Sequence, residues 1–124
     1  MRYIMALLLV LSGPVAAHSW TPTYPKPIQS WAEGIYQFDM TLWNSRADIN
    51  YFTFDVFDAE FMHIPWAAYE RTTHVAYLER KVINIYIKAE DLDRVVYVCS
   101  RTQIVKRQNT ASLVSSRICS KVKR

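Results

Sequence analysis

The chain has 124 residues, with 15 Lys+Arg against 11 Asp+Glu, and only two Cys and two Gly. That length suits one domain with a single core. Two cysteines without C-x-x-C spacing disfavour a structural zinc site and a dithiol redox centre, and no G-x-S-x-G nucleophile elbow occurs.

Residues 1–17, MRYIMALLLVLSGPVAA, read as a secretory signal. Arg2 is the positive end, Ile4 to Leu11 are almost continuously apolar, and Gly13-Pro14 break the run. Val15 and Ala17 match the small-residue positions of a signal-peptidase site. The apolar run falls far short of the ~20 residues that a membrane span needs, and no second such run follows. The expected mature domain is residues 18–124, beginning at His18, and the expected location is periplasmic or secreted. Two cysteines in such an oxidising compartment are expected to pair. The charge is polarised. From Arg101 onward there are seven Lys/Arg and no Asp or Glu, whereas residues 18–100 are net acidic.

Beyond the signal the period is two, which is the period of strands. TPTYPKPIQSW holds three prolines and can form only an edge strand or an extended arm. Its aromatic neighbours Trp20, Tyr24 and Trp31 form a candidate contact surface. In IYQFDMTLWN, Tyr36, Phe38, Met40 and Leu42 alternate with polar residues, and Asn44-Ser45 mark a turn. In INYFTFDVFD, Phe52, Phe54 and Val56 take one face, and Tyr51, Thr53 and Asp55 take the other. EFMHIPW is a short extended piece. VINIYI puts Ile83, Ile85 and Ile87 on one face. RVVYVCSRTQIV and ASLVSSRICSKV are two further β-prone runs joined by the polar link 106–109. No stretch reads as a convincing helix. Six or seven short strands define an all-β chain, a single immunoglobulin-like antiparallel β-sandwich.

A turn centred on Gln108-Asn109 folds the last two runs into a hairpin whose opposed residue numbers sum to about 218. Cys99 and Cys119 then face each other and are expected to form a disulfide. In DRVVYVC, Asp93, Tyr97 and Cys99 match the D-x-x-x-Y-x-C spacing of the penultimate immunoglobulin strand, where the Tyr forms a corner. Met40 stands where the partner Cys of an inter-sheet disulfide would be.

In this order the pieces resemble the N-terminal domain of periplasmic pilus-assembly chaperones of the usher pathway. YPKPI is similar to their opening strand, FDMTLWNSRADINYFTFDVFD to the strand-turn-strand that follows, EDLDRVVYV to their penultimate strand, and NTASLVSSRICSKVKR to their closing strand. The resemblance covers about 85 residues and implies donor-strand chemistry. An exposed edge strand would lend apolar side chains, here Ala111, Leu113 and Val114, to a partner. A basic pair, Lys26 with Arg117 or Lys121, would capture a terminal carboxylate. The second domain of that family is missing from the pattern, and Ser112, Ser115, Ser116 and Ser120 dilute the closing strand.

Other constellations point elsewhere. His18, as a mature N-terminus, could chelate copper with its α-amine and imidazole, helped by His63 or His74. No other cofactor is expected. Asp55/Asp58/Glu60 and Glu90/Asp91/Asp93 are carboxylate groups expected in turns, without the spacing of a calcium loop. The basic tail suits acidic envelope surfaces, and export argues against nucleic acid. No catalytic set is present, so an enzyme is not expected. Three classes remain: a chaperone-like module that binds another exported or envelope protein, a copper-binding periplasmic protein, and a structural subunit of the cell envelope or of a phage particle.

Overall fold

A computed structural model describes residues 18–103 and 115–124. Residues 1–17, read above as a secretory signal, the turn expected at Gln108-Asn109, and Ala111, Leu113 and Val114 lie outside the described residues. Eight strands are present among the described ones: β1 (Ser19–Thr21), β2 (Ile28–Gln29), β3 (Ile35–Trp43), β4 (Tyr51–Phe57), β5 (Thr72–His74), β6 (Arg80–Lys88), β7 (Tyr97–Thr102) and β8 (Arg117–Lys121). A single helical turn, α1 (Ala89–Leu92), follows β6. The sequence pattern shows no helix there, because one turn is too short to display a 3.6-residue period.

The strands form two antiparallel sheets. In one, β3 pairs with β6 on one side and with β1 and β2 on the other. The second sheet has the order β5-β4-β7-β8. β1 and β2 are one edge strand broken by the prolines between them, so the eight strands fill seven positions, as expected for a sandwich of this type. The fourth strand departs from the constant-domain arrangement. β5 pairs with β4 rather than with β6.

Alternation places the core as the sequence implies. Phe38, Met40 and Leu42 from β3, and Ile83, Ile85 and Ile87 from β6, meet Phe52, Phe54, Val56 and Val98 from the other sheet. All ten are buried. Each such side chain stabilises the fold by roughly 1.5–3 kcal/mol relative to exposure.

Two polar residues hold the layers and loops. Trp20 does not join the surface arm. It is buried, stacks on Phe54 at 5.4 Å and donates its indole N–H to the carbonyl of Val98 at 3.0 Å. It thus ties β1 of one sheet to β7 of the other, a link that an inter-sheet disulfide makes in immunoglobulin domains. Tyr24 and Trp31 do stay exposed. Asn44 is fully buried at the end of β3. Its Nδ2 donates to the carbonyls of Ile49 (2.7 Å) and Val75 (2.9 Å), and its Oδ1 accepts from the Arg46 amide. Its own backbone bonds Glu79 and Leu78. One amide side chain therefore fastens the β3–β4 connection to the β5–β6 connection.

The hairpin register is as expected. β7 and β8 pair with Cys99 opposite Cys119, and the disulfide is formed, with Cα atoms 4.0 Å apart. Its phase differs from an immunoglobulin strand. Val98, not Cys99, faces the core. Cys99 and Tyr97 therefore lie on the outer face, where Tyr97 stacks on Phe61 at 4.6 Å. A cystine joining neighbours within one sheet must stand off that sheet's surface, whereas one joining two sheets must point between them.

Candidate binding face

Strand register sets the face. Antiparallel partners share a side of the sheet, so the outer side of β5-β4-β7-β8 is built in rows. One row is Thr72, Thr53, Arg101 and Arg117. The next is Asp55, Cys99 and Cys119, and the last is Phe57, Tyr97 and Lys121.

Arg101 and Arg117 are directly opposed, and like charges in that position destabilise a sheet. Asp55 relieves the repulsion. Its Oδ2 accepts from Arg101 Nε at 3.2 Å and from Arg117 at 3.5 Å. Asp55 is buried within the strand rather than lying in a turn, so the Asp55/Asp58/Glu60 group is not a loop cluster. Asp58 instead accepts from the amides of Glu60 and Met62, and shapes a tight turn. In that turn Phe61 adopts a left-handed backbone, φ 59°. Such a conformation is unfavourable for a bulky side chain. Stacking of Phe61 on Tyr97 and packing against Phe57 hold it in place.

Aromatic rings anchor the cations. Arg117 lies over Phe57 at 5.3 Å, and Arg71 lies over Trp66 at 5.2 Å. The backbone of Arg71 is fixed as well, since its carbonyl accepts from Thr53 Oγ1 at 3.0 Å. Three arginines and Lys121 thus share this face with one carboxylate among the described residues. The surface is electropositive, with aromatic patches beside the charges.

The expected basic pair divides differently. Lys26 is exposed in the Pro-rich segment. That segment runs along the end of β8, with the Lys121 amide bonded to the Thr23 carbonyl and the Lys123 amide to the Pro25 carbonyl. Lys26 therefore lies beside Lys121 and Lys123. Arg117 is four residues from Lys121, about 13 Å along the strand at roughly 3.3 Å per residue, and is engaged with Asp55. Leu113 lies outside the described residues.

The three histidines occupy separate places. His18 is buried, bonds Ser100 Oγ through Nε2 at 2.8 Å, and has Ser116 Oγ 3.5 Å from Nδ1. Burial, with a smaller contribution from the Arg46 charge, pushes its pKa down to about 4. His63 is exposed and packs on Phe57, and His74 is exposed and packs on Tyr51. Among the described residues, no three His, Cys, Asp or Glu side chains gather closely enough to hold a metal ion. Glu90, Asp91 and Asp93 lie in and beside α1, where Asp91 pairs with Arg94. Among the described residues no helix is long and apolar enough to cross a membrane.

Asp55, Arg71, Arg101 and Trp66 are the members of the face that sequence reading overlooked. A signal was available for Arg101. The register that opposes Cys99 to Cys119 also opposes Arg101 to Arg117, and such a pair needs an anion nearby. The chain belongs to the class of all-β antiparallel sandwiches. No model of a known family matches it, and no curated protein matches it.

Proposed function

We propose that this protein is an exported protein-binding module, chaperone-like, that pairs the edge of β8 with a strand of another exported or envelope protein. One observation carries the reading. The amide of Lys121 points away from β7 to Thr23, and that of Val122 points to Val96 of the other side. By alternation, the N–H and C=O groups of Arg117 and Cys119 also point away from β7. No described residue bonds to them. Among the described residues this leaves a short stretch of open main chain on the outermost strand, which is the element that strand addition uses. Arg117 and Lys121 flank it on the outer face and Ile118 on the inner side. An incoming strand with acidic residues on its outer side suits that charge.

The test uses a proline. Arg117→Pro removes an amide that points outward, so the ladder to β7 keeps its bonds while strand addition loses a donor. Arg117→Gln removes the charge and keeps the amide. A partner purified from periplasmic extract with the wild type should be retained poorly by Arg117→Pro, roughly tenfold less for a loss of about 1.4 kcal/mol. Arg117→Gln should fall between them. Equal recovery with all three proteins would remove the edge from the mechanism.

A further inference from the structure

Beside the Asp55 cluster the outer face is hollowed. An open depression of about 530 Å³ lies between the 63–66 segment, β4 and the start of β5, and its lining includes Thr53, Asp55, Trp66, Arg71, Thr72 and Arg101. We propose that this depression is an oxyanion site that takes a tetrahedral phosphate or sulfate group.

The charges argue for it first. Arg71 has no ion-pair partner among the described residues, and residues 1–17 and 104–114 contain no Asp or Glu to supply one. Arg101 shares a single carboxylate with Arg117 and is over a third exposed. Two guanidiniums thus line one hollow with a single carboxylate, Asp55, which Arg117 also engages from outside it, so positive charge is in excess.

Pre-organisation argues second. A guanidinium laid on an aromatic face keeps its in-plane N–H groups free for an anion. Arg71 is laid so on Trp66, with its backbone held by Thr53. Part of the ordering that an anion would impose on this arginine is thereby already met.

Geometry argues for a tetrahedral group. Arg101 stands opposite Thr53 on the β7 side of β4, whereas Arg71 leads into β5 on the other side of β4. The Thr72 hydroxyl lies on the same face, in the row that contains Thr53 and Arg101. Donors arriving from several directions match three or four oxygens better than the two coplanar oxygens of a carboxylate.

The test is an NMR titration of the disulfide-bonded domain with sodium phosphate, sodium sulfate, glucose 6-phosphate and sodium acetate. Arginine side-chain Nε–H signals and backbone amides are followed at fixed ionic strength. Phosphate and sulfate should shift the signals of Arg71, Arg101 and Thr72 together. Acetate should bind at least fivefold more weakly. Tighter binding of glucose 6-phosphate would assign the group to a sugar ester, and tighter binding of inorganic phosphate would assign it to the free ion. Arg71→Gln should weaken phosphate at least tenfold. Arg71 makes no ion pair, so this variant should fold, as its amide spectrum will show. Arg80→Gln is the control, because Arg80 also lies over a tryptophan, Trp43, but on the opposite sheet. It should bind like the wild type. Equal affinity for acetate, or an equal loss in Arg80→Gln and Arg71→Gln, would overturn the proposal.

Discussion

Acidification from about pH 7.5 to about pH 4.5 should destabilise the native domain by about 2.5 kcal/mol more than it destabilises a His18→Gln variant. His18 is buried between Phe52 and the hydroxyls of Ser100 and Ser116. Its pKa falls from 6.5 to about 4 in the fold, mainly through burial. In the unfolded chain the imidazole takes up a proton near 6.5, whereas the folded chain resists until near 4. Between those values the unfolded state holds more protons, so stability falls as pH falls. Above the interval the effect is absent, and below it the loss is complete. One pKa unit is worth about 1.4 kcal/mol, so the shift sets a ceiling of about 3.5 kcal/mol, with most of it reached by pH 4.5. Gln keeps a group that can bond Ser100 but does not titrate. Denaturant unfolding followed by tryptophan fluorescence at several pH values gives both curves. Carboxylates titrate in both proteins, so the difference between curves isolates His18. Curves that stay parallel within about 0.5 kcal/mol would refute a buried, neutral His18.

Two other substitutions probe the frame. Replacing Cys99 and Cys119 together by Ala should cost about 3 kcal/mol, from opening a loop whose ends are 20 residues apart. Calorimetry should show a lower melting temperature with the two-sheet spectrum retained. Asn44→Ala should cost about 3 kcal/mol, because it strands the buried carbonyls of Ile49 and Val75. Hydrogen exchange should quicken in both connections that Asn44 joins, whereas a loss confined to one would contradict its bridging role.

The sandwich was legible because burial on one side of a sheet writes itself as alternation. Phe38-Met40-Leu42 and Ile83-Ile85-Ile87 state their faces without further information. The β7–β8 register was legible because two cysteines constrain it. Other features left weaker traces. Trp20 reads as part of a surface arm, since nothing local says that its indole will find the Val98 carbonyl 78 positions away. His18 reads as an exposed terminus for the same reason. The Cys99 phase is unreadable from one strand, because Val-Cys alternation is compatible with either residue facing inward. Asp55 and Arg101 separate by 46 positions, and only strand pairing brings them together. Arg71 lies in a loop, where no period reports on direction.

The placement of the cystine has a mechanical consequence. Tension applied at Arg124 passes along the last residues to Cys119 and crosses the sulfur bridge to Cys99 in β7, which lies inside its sheet. The stretch of chain between the two cysteines carries none of that load. Only the residues beyond Cys119 can peel, and the amides of Lys121 and Lys123 are laced to Thr23 and Pro25. Pulling therefore meets first a zipper of a few main-chain bonds, opened one after another, and then a covalent stop. The exposed main chain at Arg117 sits on the sheltered side of that stop. An edge occupied there by another strand would keep its grip while the terminus is under strain.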